Sequence, residues 1–196
     1  MVGLASDVRM LRINFEGELG WELYHGLAYQ QHLLDSIVTA GKEHGLKLVG
    51  HRALDGLRLE KSYASLWREL NGEYTAWESN LDRFIALDKG DFIGRDALVR
   101  QKARGIARRL VTLRIAAPEG AEALGNEEVY SGGTLVGRVT SAGRAYHLGF
   151  NIALAYVAAA QATLGTPLEV MVFNEKVPAE VIPRSPYDPK GERSHM

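Results

Sequence analysis

Residues 13–24, read as I-N-F-E-G-E-L-G-W-E-L-Y, place three carboxylates, two glycines and three aromatics in one short extended stretch. The carboxylates are Glu16, Glu18 and Glu22, and the aromatics are Phe15, Trp21 and Tyr24. A carboxylate held beside aromatic rings at a strand end is a seat for a flat, nitrogen-rich ring. Gly17 and Gly20 let the backbone adopt conformations, or approach a neighbour, that other residues resist. Beyond them W-E-L-Y reads as a strand with Glu22 and Tyr24 on one face and Trp21 and Leu23 on the other. The competing reading is an ordinary hairpin with solvated glutamates, and the pattern alone leaves both open. Acid–base work by Glu18 and Glu22 is conceivable on residue type, but the sequence shows neither a partner nor a perturbing environment for them.

The elements that position this stretch follow from periodicity. A strand is expected at residues 10–15, then an amphipathic helix at 29–44 with Leu33, Leu34, Ile37 and Val38 at three-to-four spacing and Gly45 as its stop. Residues 47–50 read as a short strand and residues 52–61 as a helix whose buried stripe is Ala53, Leu54 and Leu57. On that helix Arg52, Asp55 and Arg58 are spaced to bridge in series. Residues 63–76 form a structured loop and residues 81–87 a strand. Asp91 is expected to cap a surface helix from Ile93 to Arg104 that Gly105 closes. From Arg108 onward, alternating segments, the Y-S-G-G-T hairpin signal and the apolar run at 152–157 predict five short strands, making a small barrel or sandwich over residues 108–183.

Composition narrows the possible chemistry. The 196 residues are 46% hydrophobic and carry 23 basic against 24 acidic side chains, a net charge of −1. That balance gives no electrostatic case for nucleic acid or an acidic membrane surface. With no cysteine, disulfides, thiolate–metal sites and thiol catalysis are excluded. No apolar run approaches a bilayer span, and the start lacks the pattern of a secretory signal, so a soluble globular chain is expected. G-E-L-G-W-E lacks the third glycine of a dinucleotide fingerprint, and there is no phosphate loop and no G-x-S-x-G elbow. The six histidines show no metal-ligand spacing, so no metal site is expected.

Five ordered segments carry a family resemblance: F-E-G-E-L-G-W-E (15–22), R-A-L-D-G-L-R-L-E-K (52–61), L-D-K-G-D-F-I-G-R-D-A-L (87–98), V-G-R-V-T-S-A-G (136–143) and I-A-L-A-Y-V (152–157). Together they resemble the C-terminal half of the aminomethyltransferase family, which includes the glycine cleavage T-protein. The wording is most similar to the folate-binding portion of dimethylglycine and sarcosine dehydrogenases. The resemblance implies tetrahydrofolate binding and transfer of a one-carbon unit from an aminomethyl or N-methyl donor. It assigns Glu22 to the pterin's 2-amino-4-oxo edge, Phe15 to the pocket wall in place of a tyrosine, and Arg52 to a folate contact beside the glutamate. It implies FAD only if an upstream domain exists.

The implied fold class is α+β: a partial folate-binding α/β domain at 1–105, a C-terminal antiparallel β-barrel domain at 106–186 and a polar tail at 187–196. The final Ser194-His195-Met196 resembles a cloning remnant. The family's N-terminal half, with its catalytic aspartate, has no counterpart before Met1, so no catalytic residue is placed within this chain and no turnover by it alone is expected. Exposed strand edges would then meet that missing half or drive self-association. A cytoplasmic location, or the mitochondrial matrix if eukaryotic, is the matching expectation. Two departures bear on detail. Asn80 stands where the family carries glycine (E-S-N-L for E-A-G-L), and Phe150 stands at a customary lysine. Rival readings are a non-catalytic remnant or interaction domain, and a folate-dependent O- or S-demethylase. An iron–sulfur maintenance protein of related fold is disfavoured, because Asp91 occupies its diagnostic cysteine position.

Overall fold

In the computed structural model, which describes residues 2–195, a helical body built on a small β-ribbon leans against a closed β-barrel. The ribbon pairs β1 (Arg9–Leu11) with β2 (Glu22–Tyr24) antiparallel, with Leu11 opposite Glu22. Helix α1 (Gln30–Gly41) is flanked by single 3-10 turns, Leu27–Tyr29 and Lys42–His44. Gly45 ends this run at φ 70°, the left-handed conformation that glycine adopts without strain. Helix α2 (His51–Glu60) follows, and α3 (Arg95–Arg104) lies on the surface with no buried residue.

Three local expectations fail for identifiable reasons. Residues 47–50 form no strand, since no neighbour offers a ladder, and Leu48 and Val49 stay exposed. In place of a strand at 81–87 there is a 3-10 turn, Asp82–Phe84. Asp91 does not cap α3. Gly94 does, at φ 93°, with no side-chain hydrogen bond. The buried side of α2 also differs from the apolar stripe: Ala53 and Leu57 are exposed, whereas Arg58, Leu59 and Glu60 are buried.

The barrel has six strands where five were expected: β3 (Arg108–Ile115), β4 (Glu128–Ser131), β5 (Thr134–Ala145), β6 (Phe150–Ala158), β7 (Pro167–Val172) and β8 (Glu175–Ile182). They close in the order β3-β6-β5-β4-β7-β8, every neighbour antiparallel, with β3 pairing both β6 and β8. Closure leaves no free edge and decides for a barrel over a sandwich. Valines and leucines such as Leu113, Val129, Val139 and Val170 fill the lumen, with the small Ala153 and Ala155 of β6.

Strand β6 is buried on both faces. Ala153, Ala155 and Val157 point into the lumen, while Ile152, Leu154 and Tyr156 point outward beneath Leu59 of α2 and Tyr74 of the following loop. A strand covered on both sides reads as an unbroken apolar run, as I-A-L-A-Y-V does. The Tyr74 and Tyr156 rings stack with centroids 3.4 Å apart. Beside them Gly137 is obligatory, because a Cβ there would lie 2.2 Å from the Tyr156 carbonyl oxygen.

A bulge in β5 ties the barrel to α2. Val139 pairs with Ala155 inside the lumen, but the register then shifts so that Ser141 pairs with the outward Leu154. The extra residue, Thr140, reverses the alternation and turns Ser141 toward α2. There the fully buried Arg58 uses all three nitrogens of its fork. Its Nε donates to Asp55 (3.1 Å), Nη1 to Glu69 (3.1 Å) and to the Tyr63 carbonyl (3.2 Å), and Nη2 to Ser141 Oγ (2.8 Å). Ser141 in turn donates to the other oxygen of the equally buried Glu69.

The end of α2 anchors residues 187–195, so the segment set apart as a polar tail is docked over much of its length; Met196 lies outside the described residues. Lys61, nearly inaccessible, donates to the Asp188 carbonyl (2.5 Å) and carboxylate (3.2 Å). The Tyr187 N–H donates to the Glu60 carbonyl (3.0 Å), and its ring stands edge-on to His147 at 4.7 Å. Its hydroxyl donates to Glu18. Burial works against ionisation of Asp188, but Lys61 and the N–H groups of Arg193 and Glu192 outweigh it and hold the carboxyl below its ordinary range.

Two outcomes follow. Glu69→Ala strands the Arg58 charge and lowers the unfolding free energy in urea by about 3–5 kcal/mol, whereas replacing Arg58 and Glu69 together by Met and Leu costs less than Glu69→Ala alone. Because the Asp188 value is depressed on folding, its stabilisation is complete above the unfolded value and fades as pH drops below about 4. Asp188→Asn therefore flattens the fall in thermal midpoint between about pH 5 and pH 3.

Candidate functional site

The three carboxylates of residues 13–24 have separate tasks. Glu16 Oε2 accepts from the Phe15 N–H (2.9 Å) and Asn14 Oδ1 from the Gly17 N–H (3.0 Å), which shapes a tight turn. Gly17 sits at φ 87° against the Lys61 stem, and a Cβ on Gly20 would meet Glu16 Oε1 at 2.4 Å, so both glycines are used for conformation or close approach. Glu18 takes the Tyr187 hydroxyl and the Arg193 guanidinium (3.4 Å) and is thereby committed to the C-terminal segment. Among the described residues Glu22 accepts only the Tyr24 hydroxyl, at 2.6 Å on Oε2, which leaves its Oε1 uncommitted there. That hydrogen bond, with the Glu22 charge, raises the Tyr24 pKa and keeps the phenol a donor. Glu22 and Tyr24 share a face of β2, as the alternation predicts. Phe15 lies over Tyr63, ring centroids 6.3 Å apart and 21° from parallel, a flat aromatic wall behind the turn.

Arg52 stands apart from these residues. Its guanidinium is almost fully exposed and reaches Glu122 at 3.6 Å, not the Asp55 of the expected ladder. Asp55 is already saturated: Arg58 and both terminal nitrogens of Arg68, at 3.2 Å each, occupy its oxygens. These two cations hold Asp55 below the ordinary carboxylate value although burial opposes them. No hydrogen bond or ion pair among the described residues joins Arg52 to Glu22 or Phe15. Arg52 instead lines a cleft of about 680 Å³ between α2 and β5, with Arg68, Glu122, Ser141, Arg144 and Tyr146.

Several of these cleft residues escape sequence reasoning because they come from different strands and loops. Glu122 is carried by the loop between β3 and β4, which the buried Asn151 anchors by donating to the carbonyls of Ala117 (3.2 Å), Pro118 (3.3 Å) and Ala121 (3.1 Å). Arg144 is aligned by Gly149 O (2.8 Å) and Asn151 Oδ1 (3.4 Å). The available signal was the polar Asn151 opening an otherwise apolar strand. The two departures from the family pattern also find places. Asn80 keeps a left-handed conformation, φ 57°, which asparagine tolerates better than most residues, and its amide caps the Leu110 carbonyl at 2.6 Å. Phe150 lies under the Arg114 guanidinium at 5.2 Å. Among the described residues no cluster of metal-ligating side chains occurs, and no helix is long and apolar enough to cross a membrane.

Comparison with known proteins agrees with this architecture. Residues 2–89 match the GCVT N-terminal domain, and residues 108–188 match the glycine cleavage T-protein C-terminal barrel domain. Human mitochondrial dimethylglycine dehydrogenase is 38% identical over 176 residues, 89% of this chain but 20% of that protein. An aminomethyltransferase of Thermoanaerobacter sp. (strain X514) is 35% identical over 182 residues, 90% of this chain and 47% of the relative. The crystal structure of glycine cleavage system aminomethyltransferase T from Bartonella henselae superposes with a TM-score of 0.83 at 21% identity, covering 92% of this chain and 50% of that one, which supports the fold. The chain thus spans at most about half the length of these relatives. Two domain matches in sequence order, the shared barrel and the motifs of α2 and β6 lead to one conclusion: the chain belongs to the glycine cleavage T-protein (aminomethyltransferase) family.

Proposed function

We propose that this chain supplies the tetrahydrofolate-binding portion of a one-carbon transferase that takes its carbon from an aminomethyl or N-methyl donor. The observation that carries this reading is the uncommitted edge of Glu22, the one carboxylate of residues 13–24 not absorbed into the fold. A pterin presents N3–H and an exocyclic amine side by side, and a carboxylate accepts both in a charge-assisted pair. Phe15, backed by Tyr63, offers the apolar face such a ring needs. Arg52, whose one ion pair among the described residues is the 3.6 Å contact with Glu122, retains donors for a folate oxygen. These residues therefore fit a reduced folate, whose N5 would accept the one-carbon unit. Dimethylglycine dehydrogenase among the relatives favours an N-methyl donor, and the aminomethyltransferases favour the aminomethyl alternative.

We further propose that this polypeptide binds without turning over. The ribbon exposes Met10, Leu11, Ile13, Trp21 and Tyr24, an apolar surface beside a two-stranded sheet too small to be stable unaided. The N-terminal part of an intact family member is the partner this surface suits.

Trp21, half exposed on that ribbon, reports on the site. In a Trp67→Phe background, titration with tetrahydrofolate is expected to change tryptophan emission saturably, and Glu22→Ala to weaken binding about ten- to a hundredfold, the loss of hydrogen bonds to a charged group. An unchanged affinity in Glu22→Ala removes Glu22 from the site, and no response in either protein favours a non-catalytic remnant. In parallel, methylene transfer to tetrahydrofolate is expected to be undetectable with this chain alone, and measurable turnover refutes the division of labour.

A further inference from the structure

We propose a second site, for a small oxyanion, in the groove between the start of β3, the end of β8 and the turn at residues 159–164. The groove exists because β3 outruns its neighbour: pairing with β8 stops at Thr112 opposite Ile182, so residues 109–111 have no β8 partner. It is not a vacant strand position. The Leu110 N–H donates to the Glu78 carbonyl (2.9 Å) and the Leu110 carbonyl accepts from Asn80 (2.6 Å), so that edge is already capped. What remains is a recess of about 570 Å³ lined by Asn80, Ile106, Arg109, Leu164, Ile182 and Arg184, among others. Neither Glu22 nor Arg52 lines it.

The charges there do not balance. Arg184 makes no hydrogen bond or ion pair among the described residues. Arg83, near enough to repel it, lies over the Phe84 ring at 4.7 Å and forms no ion pair among the described residues. Arg109 meets the Asp82 carboxylate at a loose 3.5 Å and is held chiefly by the Trp77 carbonyl at 2.8 Å. Two guanidinium groups, those of Arg109 and Arg184, thus line the recess, and the Asp82 carboxylate contacts the first of them at 3.5 Å. Burial, and then the Arg83 charge, push the Arg184 pKa down, with Asp82 only partly compensating. Arginine nonetheless stays protonated, so the excess charge is not relieved by losing a proton. A guanidinium fork with all donors free matches the two oxygens of a carboxylate or phosphate, and Ile106 and Leu164 supply an apolar wall for a short organic body. The ligand class is therefore a small organic carboxylate or phosphate ester.

Calorimetric titration of the whole chain with inorganic phosphate and, separately, with butyrate tests this, with sodium chloride used to match ionic strength. Saturable one-site binding of phosphate alone marks a phosphate-ester site; binding of butyrate alone, or of both, marks a carboxylate-accepting site. Arg184→Ala should weaken the binding about tenfold or more, the loss of one charge-assisted fork. Arg184→Lys should fall between it and the parent, and Arg100→Ala on α3 should leave it unchanged. Absence of saturable binding with both probes overturns the proposal. So does an Arg184→Ala protein that binds as tightly as the parent.

Discussion

A guanidinium with no access to water constrains the rest of this molecule. Arg58 belongs to α2, Glu69 to the loop that follows it and Ser141 to the barrel. A buried charge is tolerable only when each of its donors meets an acceptor in good geometry. Helix, loop and β5 are therefore positioned by one another, and none can shift without leaving a charge or hydroxyl unsatisfied. The orientation of α2 follows. Arg52 and Lys61, nine residues apart, fall about 180° from each other around a helix of 3.6 residues per turn. One is consequently presented to the open cleft, while the other is driven inward to clasp Asp188.

Where periodicity carried the information, the chain was readable in advance. The boundaries of α1 and α2, the left-handed stop at Gly45 and most barrel strands follow from apolar spacing and glycine placement. Residues 47–50 and 81–87 show the limit of that reasoning, since a strand needs a neighbour and apolar content does not provide one. The buried face of α2 was misread for a related reason. The helix buries a charged side chain in preference to Ala53 and Leu57, because its partners lie on a loop and on β5 rather than in a generic apolar layer. The β5 bulge was invisible altogether: nothing in V-T-S-A marks Thr140 as the residue that reverses the alternation, yet without that reversal Ser141 would face the lumen.

The candidate site was legible in residue type and less so in arrangement. Three glutamates within seven positions look equivalent in sequence. Only the contacts separate a turn-former, a tail anchor and a carboxylate with a free edge. The spacing expected Arg52 to join Asp55 and Arg58 in a ladder, but Arg68, from the following loop, occupies that place and Arg52 reaches Glu122 instead. The residues that line the cleft with it come from the loop after α2, the loop after β3, β5 and the turn that follows β5, elements whose proximity depends on barrel closure and on the Asn151 anchor. Such groupings have no footprint in local sequence.

The burial of β6 on both sides bears on how this unit can be inherited. Its outward residues Ile152, Leu154 and Tyr156 are covered by Leu59 and Tyr74, which precede the barrel in the chain. A recombination event that cut between that loop and β3 would deliver a barrel with a bare apolar flank and a helix whose Arg58 keeps Asp55 and Glu69 but loses Ser141. The covalent boundary near Gly105 is thus not an energetic one. Selection for solubility alone would keep α2, its loop and the barrel together as a single exchangeable block.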